Sequence, residues 1–423
     1  MSQSALDTLR TFDITSLPDL DVVVEGALEL FLETELPRVG FGEGTRLLVL
    51  GSVNALQTGK IVFDKNVAYF GDESTYMDML AKYPDADHVI VVSASGGKHA
   101  VPIAASAAEQ GKSVILFTNN PEAPARAHVA PEQVYVFPRN REPYSYNTPT
   151  YLGMILAGSG EDPAAILSHL RDKVAGKLLR NFDHYGAFTI IVPSHFSHIV
   201  PMVRTKFDEL FGPAVVGRVF TEEEVKHAKT IVESPDELFI SFGVENAEFG
   251  IPKHRLFVPL MEGGGYAAAL ATTYFVVGKI QAAHPPYFKN GIERYAQKVS
   301  AYFHQNIPPI VEWWVSNTMT YVLFDIGGTK TRVAISEDLV TLGEVKKFKT
   351  PRTAKEGVVA IEKAIKELTK EPIRGIAGGI RGTMSADKTS MVHDSVLKGW
   401  IDEPFAAELA KKFKTKVLLE NDT

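Results

Sequence analysis

The chain contains no cysteine, which removes disulfides, thiolate metal sites and a cysteine nucleophile from consideration together. Its twelve histidines show no HExxH-like spacing, so no metal site is expected. Charge of neither sign dominates. Lys and Arg number 44 against 51 Asp and Glu, a formal net charge of −7, and nothing in that balance asks for nucleic acid or an anionic membrane surface. No uncharged apolar run is long enough to span a bilayer. The N-terminus, MSQSALDTLRTFDITSLPDLD, lacks the basic start, apolar run and small-residue cleavage site of a signal peptide. These absences predict a cytoplasmic protein with neither nucleic acid nor membrane as a partner.

What the sequence does contain is a strand, turn, helix rhythm. TRLLVLGS, HVIVVSASGG, SVILFTNN and QVYVFP are short apolar runs ending in Gly, Ser, Asn or Pro, and the first three lead into helix-compatible stretches. Runs apolar on both faces that alternate with helices predict a parallel sheet covered on both sides. A second set, FTIIVPS, AVVGRVF, ELFISFG and RLFVPL, predicts a second sheet of the same kind. Between the sets, AAILSHLRDKVAGKLLRNF has helical periodicity and is expected to be a connecting helix. GYAAALATTYFVVGKIQAA and GIERYAQKVSAYFHQ follow as helices, and the paired prolines of NIPPIVEWWVSNTM mark a linker. At 423 residues several cores are expected. The predicted division is a helical segment over 1–45, sheets within 46–160 and 161–303, a linker over 304–319, and a Lys-richer unit over 320–423 that opens with antiparallel strands.

In that last unit VLFDIGGTKTR ends a strand at Asp325 and turns through Gly327, Gly328, Thr329 and Lys330. Glycines there allow positive φ and a close backbone approach to phosphate, while Thr and Lys supply donors and charge. The string D-x-G-G-T-K resembles the ATP-phosphate motif of the ROK family, within the actin-like ATPase folds. IAGGIRGTMSADK and LKGWIDEPFAAELAKKF resemble that family's glycine-rich strand-turn and its L-P-G-W segment, with Ser395 or Val396 where Asn is usual. VLLENDT is similar to the family's E-N-D strand end. The resemblance implies that Asp422 is the general base taking the proton of the attacking sugar hydroxyl, with ATP and Mg2+ as cofactors of a completed kinase. It extends over about residues 320–423, half a kinase, so this chain alone is expected not to phosphorylate sugar.

In the N-terminal part, Ser93, Ser95, Gly96, Gly97 and Lys98 close the strand HVIVV and open the helix AVPIAASAAEQG. Hydroxyls, free N–H groups at a helix N-terminus and a cation make a phosphate site. The run resembles the S-x-S-G-x-T loop of the sugar isomerase (SIS) fold, with Lys98 in place of Thr. The Gly51-Ser52 turn matches that fold's first strand end, adding Ser52 to the phosphate-binding set. A K-x-x-E helix carrying Lys206 and Glu209, followed by a K-H-A segment, is similar to SIS aldose–ketose isomerases. The resemblance implies that Glu209 shuttles a proton between C1 and C2 and that His227 opens the sugar ring. GIERYAQK resembles the end of glucose-6-phosphate isomerases, whose final Lys position is Ala296 here; Lys298, two residues on, is the candidate replacement.

The expected fold class is therefore α/β: two doubly wound parallel-sheet SIS subdomains followed by a partial actin-like ATPase (ribonuclease H-like) domain. The expected function is interconversion of glucose 6-phosphate and fructose 6-phosphate without a cofactor, in a homodimer, fused to a glucokinase-like lobe. The alternative is a sugar-phosphate-binding regulator of a sugar kinase, without catalysis.

Overall fold

The computed structural model describes residues 4–421 apart from 228, 305, 313–319, 337–340, 370–372, 386–387 and 414. The chain divides into two compact units, residues 1–315 and 316–423.

In the first unit, β1 (Arg46–Gly51), β2 (Val67–Gly71), β3 (His88–Val92), β4 (Ser113–Thr118) and β5 (Val134–Val136) form a parallel sheet of order β2-β1-β3-β4-β5. A short strand, β6 (Glu142–Pro143), lies outside it. A second parallel sheet, of order β10-β9-β7-β8, contains β7 (Ala187–Val192), β8 (Val216–Thr221), β9 (Glu237–Phe242) and β10 (Arg255–Val258). β1, β3, β4, β7 and β9 are buried almost throughout, because helices cover both faces. β2 is an edge strand of intermediate burial, and its weaker apolar pattern gave no signal in the sequence. Each sheet reverses its winding once, between β1 and β3 and between β7 and β9. Such reversals leave a crevice at the carboxyl ends of the strands.

The helices of this unit are α1 (Ala5–Thr11), α2 (Leu20–Glu33), α3 (Asn54–Val62), α4 (Tyr76–Lys82), α5 (Ala100–Glu109), α6 (Thr148–Ser159), α7 (Pro163–His169), α8 (Ile199–Phe211), α9 (Glu222–Val225), α10 (Tyr266–Ala283) and α11 (Tyr287–Phe303). The N-terminal helical segment is no appendage. α2 buries Val23, Val24, Ala27 and Leu28 in the same core as α10, and Gly278 of α10 lets the two backbones touch, since a Cβ there would lie 2.0 Å from the Asp21 nitrogen. α10 is apolar all round because it is surrounded. The expected connecting helix is not continuous. α7 ends at His169, a π turn covers Leu170–Val174 and a 3-10 turn covers Ala175–Lys177. Leu170 and Val174 stay fully buried across the break, so core packing sets the path where Gly176 weakens the helix.

The expected linker also begins inside this unit. β11 (Ile310–Val311) pairs antiparallel with β6, the Tyr144 N–H donates to the Pro309 carbonyl at 2.8 Å, and Arg141 meets Glu312 at 3.1 Å. Two β-branched residues after the prolines are enough to extend the ribbon.

In the second unit, β12 (Thr320–Ile326), β13 (Lys330–Ser336) and β14 (Val345–Lys349) are antiparallel, while β15 (Ile373–Ile380) and β18 (Lys416–Asn421) add in parallel, giving the order β14-β13-β12-β15-β18. The hairpin of β16 (Thr383–Met384) and β17 (Met391–His393) follows β15. α12 (Ala354–Leu368) and α13 (Phe405–Phe413) pack on the sheet around Trp400. The Trp400 Nε1–H donates to the Pro351 carbonyl at 3.0 Å. Both units are α/β, as the sequence implied.

Candidate active site

The reversal between β1 and β3 opens into a cavity of about 160 Å³ lined by Gly51, Ser52, Ser93, Ser95, Gly97 and Lys98, with His99, Tyr144, Asn147 and Tyr151 completing the wall. The β3–α5 loop is held from within and from the loop after β4. Ser93 Oγ accepts from the Gly96 N–H at 3.1 Å and Ser95 Oγ from the Gly97 N–H at 3.3 Å. The Asn120 amide donates to the Ser95 carbonyl at 2.9 Å, and the Ala125 N–H to the Gly96 carbonyl at 2.9 Å. Gly96 has φ +60°, and a Cβ there would lie 2.3 Å from the Ala123 Cβ, so conformation and space both call for glycine.

Three helices present their N-termini to this cavity: α3 after Ser52, α5 after His99 and α6 after Asn147. Neither α3 nor α5 has a side-chain cap, which leaves first-turn N–H groups for another acceptor, whereas the Thr148 N–H that opens α6 is taken by Glu142. The residues that lead into them, Val53 (φ 47°), Lys98 (φ 44°) and Asn147 (φ 47°), all occupy the left-handed region. Strain repeated at one place is characteristic of ligand sites. No carboxylate is among the lining residues, while Lys98 is. Its Nζ donates to the Tyr144 hydroxyl at 3.2 Å and lies 3.9 Å from the Phe303 ring centroid. Burial lowers its pKa below the usual lysine range.

Next to the cavity lies a buried acid–base cluster. Lys206 of α8, with no exposed side-chain surface, donates to Glu209 Oε2 at 2.6 Å and to the Ser145 carbonyl at 2.6 Å. Burial raises the Glu209 carboxyl above its ordinary pKa, and the Lys206 charge opposes the rise without cancelling it. Burial and the charges of Tyr295 and Glu209 push Tyr144 up to about 12, so the cavity wall and the carboxylate feel one another. Lys206 lies on the buried face of α8 with Ile199 and Leu210, and Glu209, one turn on, stands half-buried at the edge of that face.

The structure separates the other residues singled out from sequence. His227, in the turn after α9, is exposed, as is Lys298 on α11, where Ala296 and Ile292 take the buried face. Neither lines the cavity. His99, Tyr144 and Asn147 do, and the sequence reading did not single them out.

In the second unit the turn after β12 is closed by the Gly327 N–H on the Lys330 carbonyl at 3.1 Å. Contrary to expectation, neither Gly327 nor Gly328 has positive φ. Gly328 serves proximity instead, since a Cβ there would lie 2.8 Å from Arg381 Nη1 and 3.1 Å from Val396 Cγ1. Arg381 pairs with Asp394 at 2.9 Å, and Asp394 Oδ1 receives the N–H groups of Val396 and Leu397 at 2.7 and 2.6 Å. Asp394 thus holds the turn that carries Ser395 and Val396. Asp325 pairs with Arg332, and Thr329 and Lys330 are exposed. Asp422 lies outside the described residues. Among those residues no group of three or more His, Asp or Glu is placed to hold a metal ion, and no helix is long and apolar enough to cross a membrane.

Among curated proteins nothing matches the chain. Solved structures similar to the first part include a Salmonella typhimurium LT2 protein provisionally described as sugar-binding, 13% identical over 66% of this chain and 96% of that one, TM-score 0.42. A Silicibacter pomeroyi DSS-3 protein provisionally described as a phosphosugar isomerase is 12% identical over 65% and 97%, TM-score 0.42. The ROK family glucokinase of Streptomyces griseus, solved with glucose and AMPPNP, is 23% identical over 24% of this chain, TM-score 0.23; this chain spans 33% of its length. Residues 321–423 match the model of the ROK family.

Proposed function

We propose that the first unit is an aldose–ketose isomerase of phosphorylated hexoses, interconverting glucose 6-phosphate and fructose 6-phosphate. The observation that carries this reading is the convergence of the uncapped N-termini of α3 and α5, three serine hydroxyls and Lys98 on one acid-free cavity beside a half-buried carboxylate. Phosphate binds at the Ser93–Lys98 loop and Ser52, which offer N–H and O–H donors and one cation. Glu209, its proton affinity raised by burial, takes the proton from C2 of the open-chain aldose and returns it to C1. Lys206 holds that carboxylate in place. His99, the histidine in the cavity wall, is positioned to assist ring opening. A cytoplasmic homodimer belongs to the same reading.

For the second unit we infer a sugar-kinase lobe whose Asp325, Gly327, Gly328, Thr329 and Lys330 hold the phosphates of ATP with Mg2+, and whose Asp422 is the base. ATP supplies the phosphoryl group; the exposed Thr329 and Lys330 suit contact with its phosphates.

The exposure of His227 and Lys298 favours a second reading, a sugar-phosphate sensor without turnover. One experiment separates the two. Fructose 6-phosphate is supplied to the full chain and glucose 6-phosphate is coupled to a dehydrogenase. Turnover that disappears in Glu209→Gln supports the isomerase, whereas tight binding with no turnover supports the sensor.

A further inference from the structure

Glu142 is the second carboxylate of the buried cluster, and the isomerase reading gives it no task. It forms β6 with Pro143 and is 1% exposed. Its Oε2 accepts from the Thr148 N–H at 3.1 Å. Ser145, three residues on, turns its carbonyl to Lys206 at 2.6 Å. The seven residues 142–148 therefore hold the acid at both ends and reach the lysine from the middle. Positive φ at Ser145 (77°) and Asn147 (47°) fixes that path, and the β6–β11 ribbon anchors its start.

The groups facing Glu142 come from several elements. α8 contributes Lys206 and Glu209, and the segment before β6 contributes Arg139. Tyr151 of α6, Tyr274 of α10 and Tyr146 of its own loop also feel its charge; burial pushes all three phenols upward, so they stay neutral at physiological pH. The cluster thus holds one fully buried lysine and two carboxylates, with the Arg139 guanidinium also acting on Glu142. Two carboxylates cannot both ionise cheaply around one buried ammonium. Lys206 bonds to Glu209 at 2.6 Å, while Glu142 is bonded to a backbone N–H.

We infer that Glu142 is a positioning residue that remains a neutral acid while the site works, leaving Lys206 as the undivided partner of Glu209, and that its ionisation turns the site off by dividing that lysine between two carboxylates. The inference rests on the isomerase reading. The Glu142 carboxyl is pushed up to about 8, chiefly by burial, against the opposing Thr148 N–H, Lys206 and Arg139. The switch therefore operates on the alkaline side of neutrality, and its sign is fixed: proton on, active; proton off, inactive.

The test uses the full chain and hexose-phosphate interconversion followed from pH 6 to 9.5. In the parent protein kcat declines above about pH 8, approaching tenfold per pH unit. Glu142→Gln keeps an acceptor for the Thr148 N–H and cannot ionise, so its kcat stays level through pH 9 with KM unchanged. The inference is overturned by an alkaline decline that persists in Glu142→Gln, or by loss of kcat at every pH in a folded variant, which would make Glu142 a direct proton carrier. A second measurement needs neither turnover nor a variant. Infrared difference titration of the parent chain with 13C-labelled glutamate carboxyls reads the protonated C=O band itself. A band lost near pH 8, together with a shift of a second glutamate over the same interval, supports the inference even in a chain that isomerises nothing. Its absence overturns the inference even where isomerisation is robust.

Discussion

The two parallel sheets of the first unit share one strand order, and each reverses once, yet their carboxyl ends differ. At the first reversal the loops after β1 and β3 leave the N-termini of α3 and α5 uncapped and line a cavity. At the second, the Tyr266 hydroxyl donates to the His195 carbonyl at 2.7 Å and the Ser194 N–H to Glu222 at 3.4 Å. These bonds tie the loop after β7 to α9 and to the start of α10. Topology supplies two equivalent strand ends, and the loop sequences decide how each is lined.

The most damaging change to that contrast is Glu209→Gln, expected to lower kcat by about a thousandfold, within the usual worth of a positioned general base. Ser194→Ala and His195→Ala are expected to leave kcat within about twofold. A loss at the second reversal equal to that at Glu209 would erase the distinction. Next, Lys98→Ala should weaken hexose-phosphate binding by about 10–100-fold in calorimetry, the worth of one charge-assisted contact. His227→Ala and Lys298→Ala should bind like the parent, and His99→Ala should lower kcat with affinity intact.

Two smaller effects concern stability. The Glu142 carboxyl is raised from 4.5 to about 8, so the folded state binds more protons than the unfolded one between those values. Stability contributed by the neutral acid is thus present below 4.5 and lost as pH rises to about 8. Glu142→Gln should remove this slope, leaving the first unit on the order of 5 kcal/mol more stable than the parent at pH 8.5 in urea titrations, with little difference at pH 4.5. Smallest are two glycines at left-handed φ. Gly96→Ala is expected to cost about 1–3 kcal/mol and to abolish phosphate binding. Gly243→Ala, after β9 and facing the flexible end of Leu260, should cost about 1 kcal/mol and leave binding alone.

The central strands were legible because runs such as HVIVV and FTIIV are apolar on both faces, which few other settings require. The β3–α5 loop that lines the cavity stood out because serines, glycines and a lysine follow such a strand. β2 was not, since an edge strand buries one face in part. The break after His169 was hidden because Leu170 and Val174 keep helical spacing through a π turn. Lys206 and Glu209 were readable from their spacing, whereas Glu142, Tyr144 and Asn147 lie in a segment without periodicity. One signal was available there: Asn147-Thr148-Pro149 before an apolar run is a helix start. The placement of His227 and Lys298 depends on which face their elements bury, and neighbouring residues of similar chemistry, His99 above all, give no such hint in sequence.

The β6–β11 ribbon has a consequence for the order in which the protein is made. Residues 142 and 143 are laid down early, but their strand partners are residues 310 and 311, and the Tyr144 N–H waits for the Pro309 carbonyl. During synthesis at roughly 5–20 residues per second, both sheets emerge from the ribosome before one wall of the cavity has its anchor. A nascent chain that ends before Pro309 therefore carries its β3–α5 loop without a finished cavity wall. Capture of hexose phosphate should begin only once this ribbon has cleared the exit tunnel, late in the synthesis of the first unit.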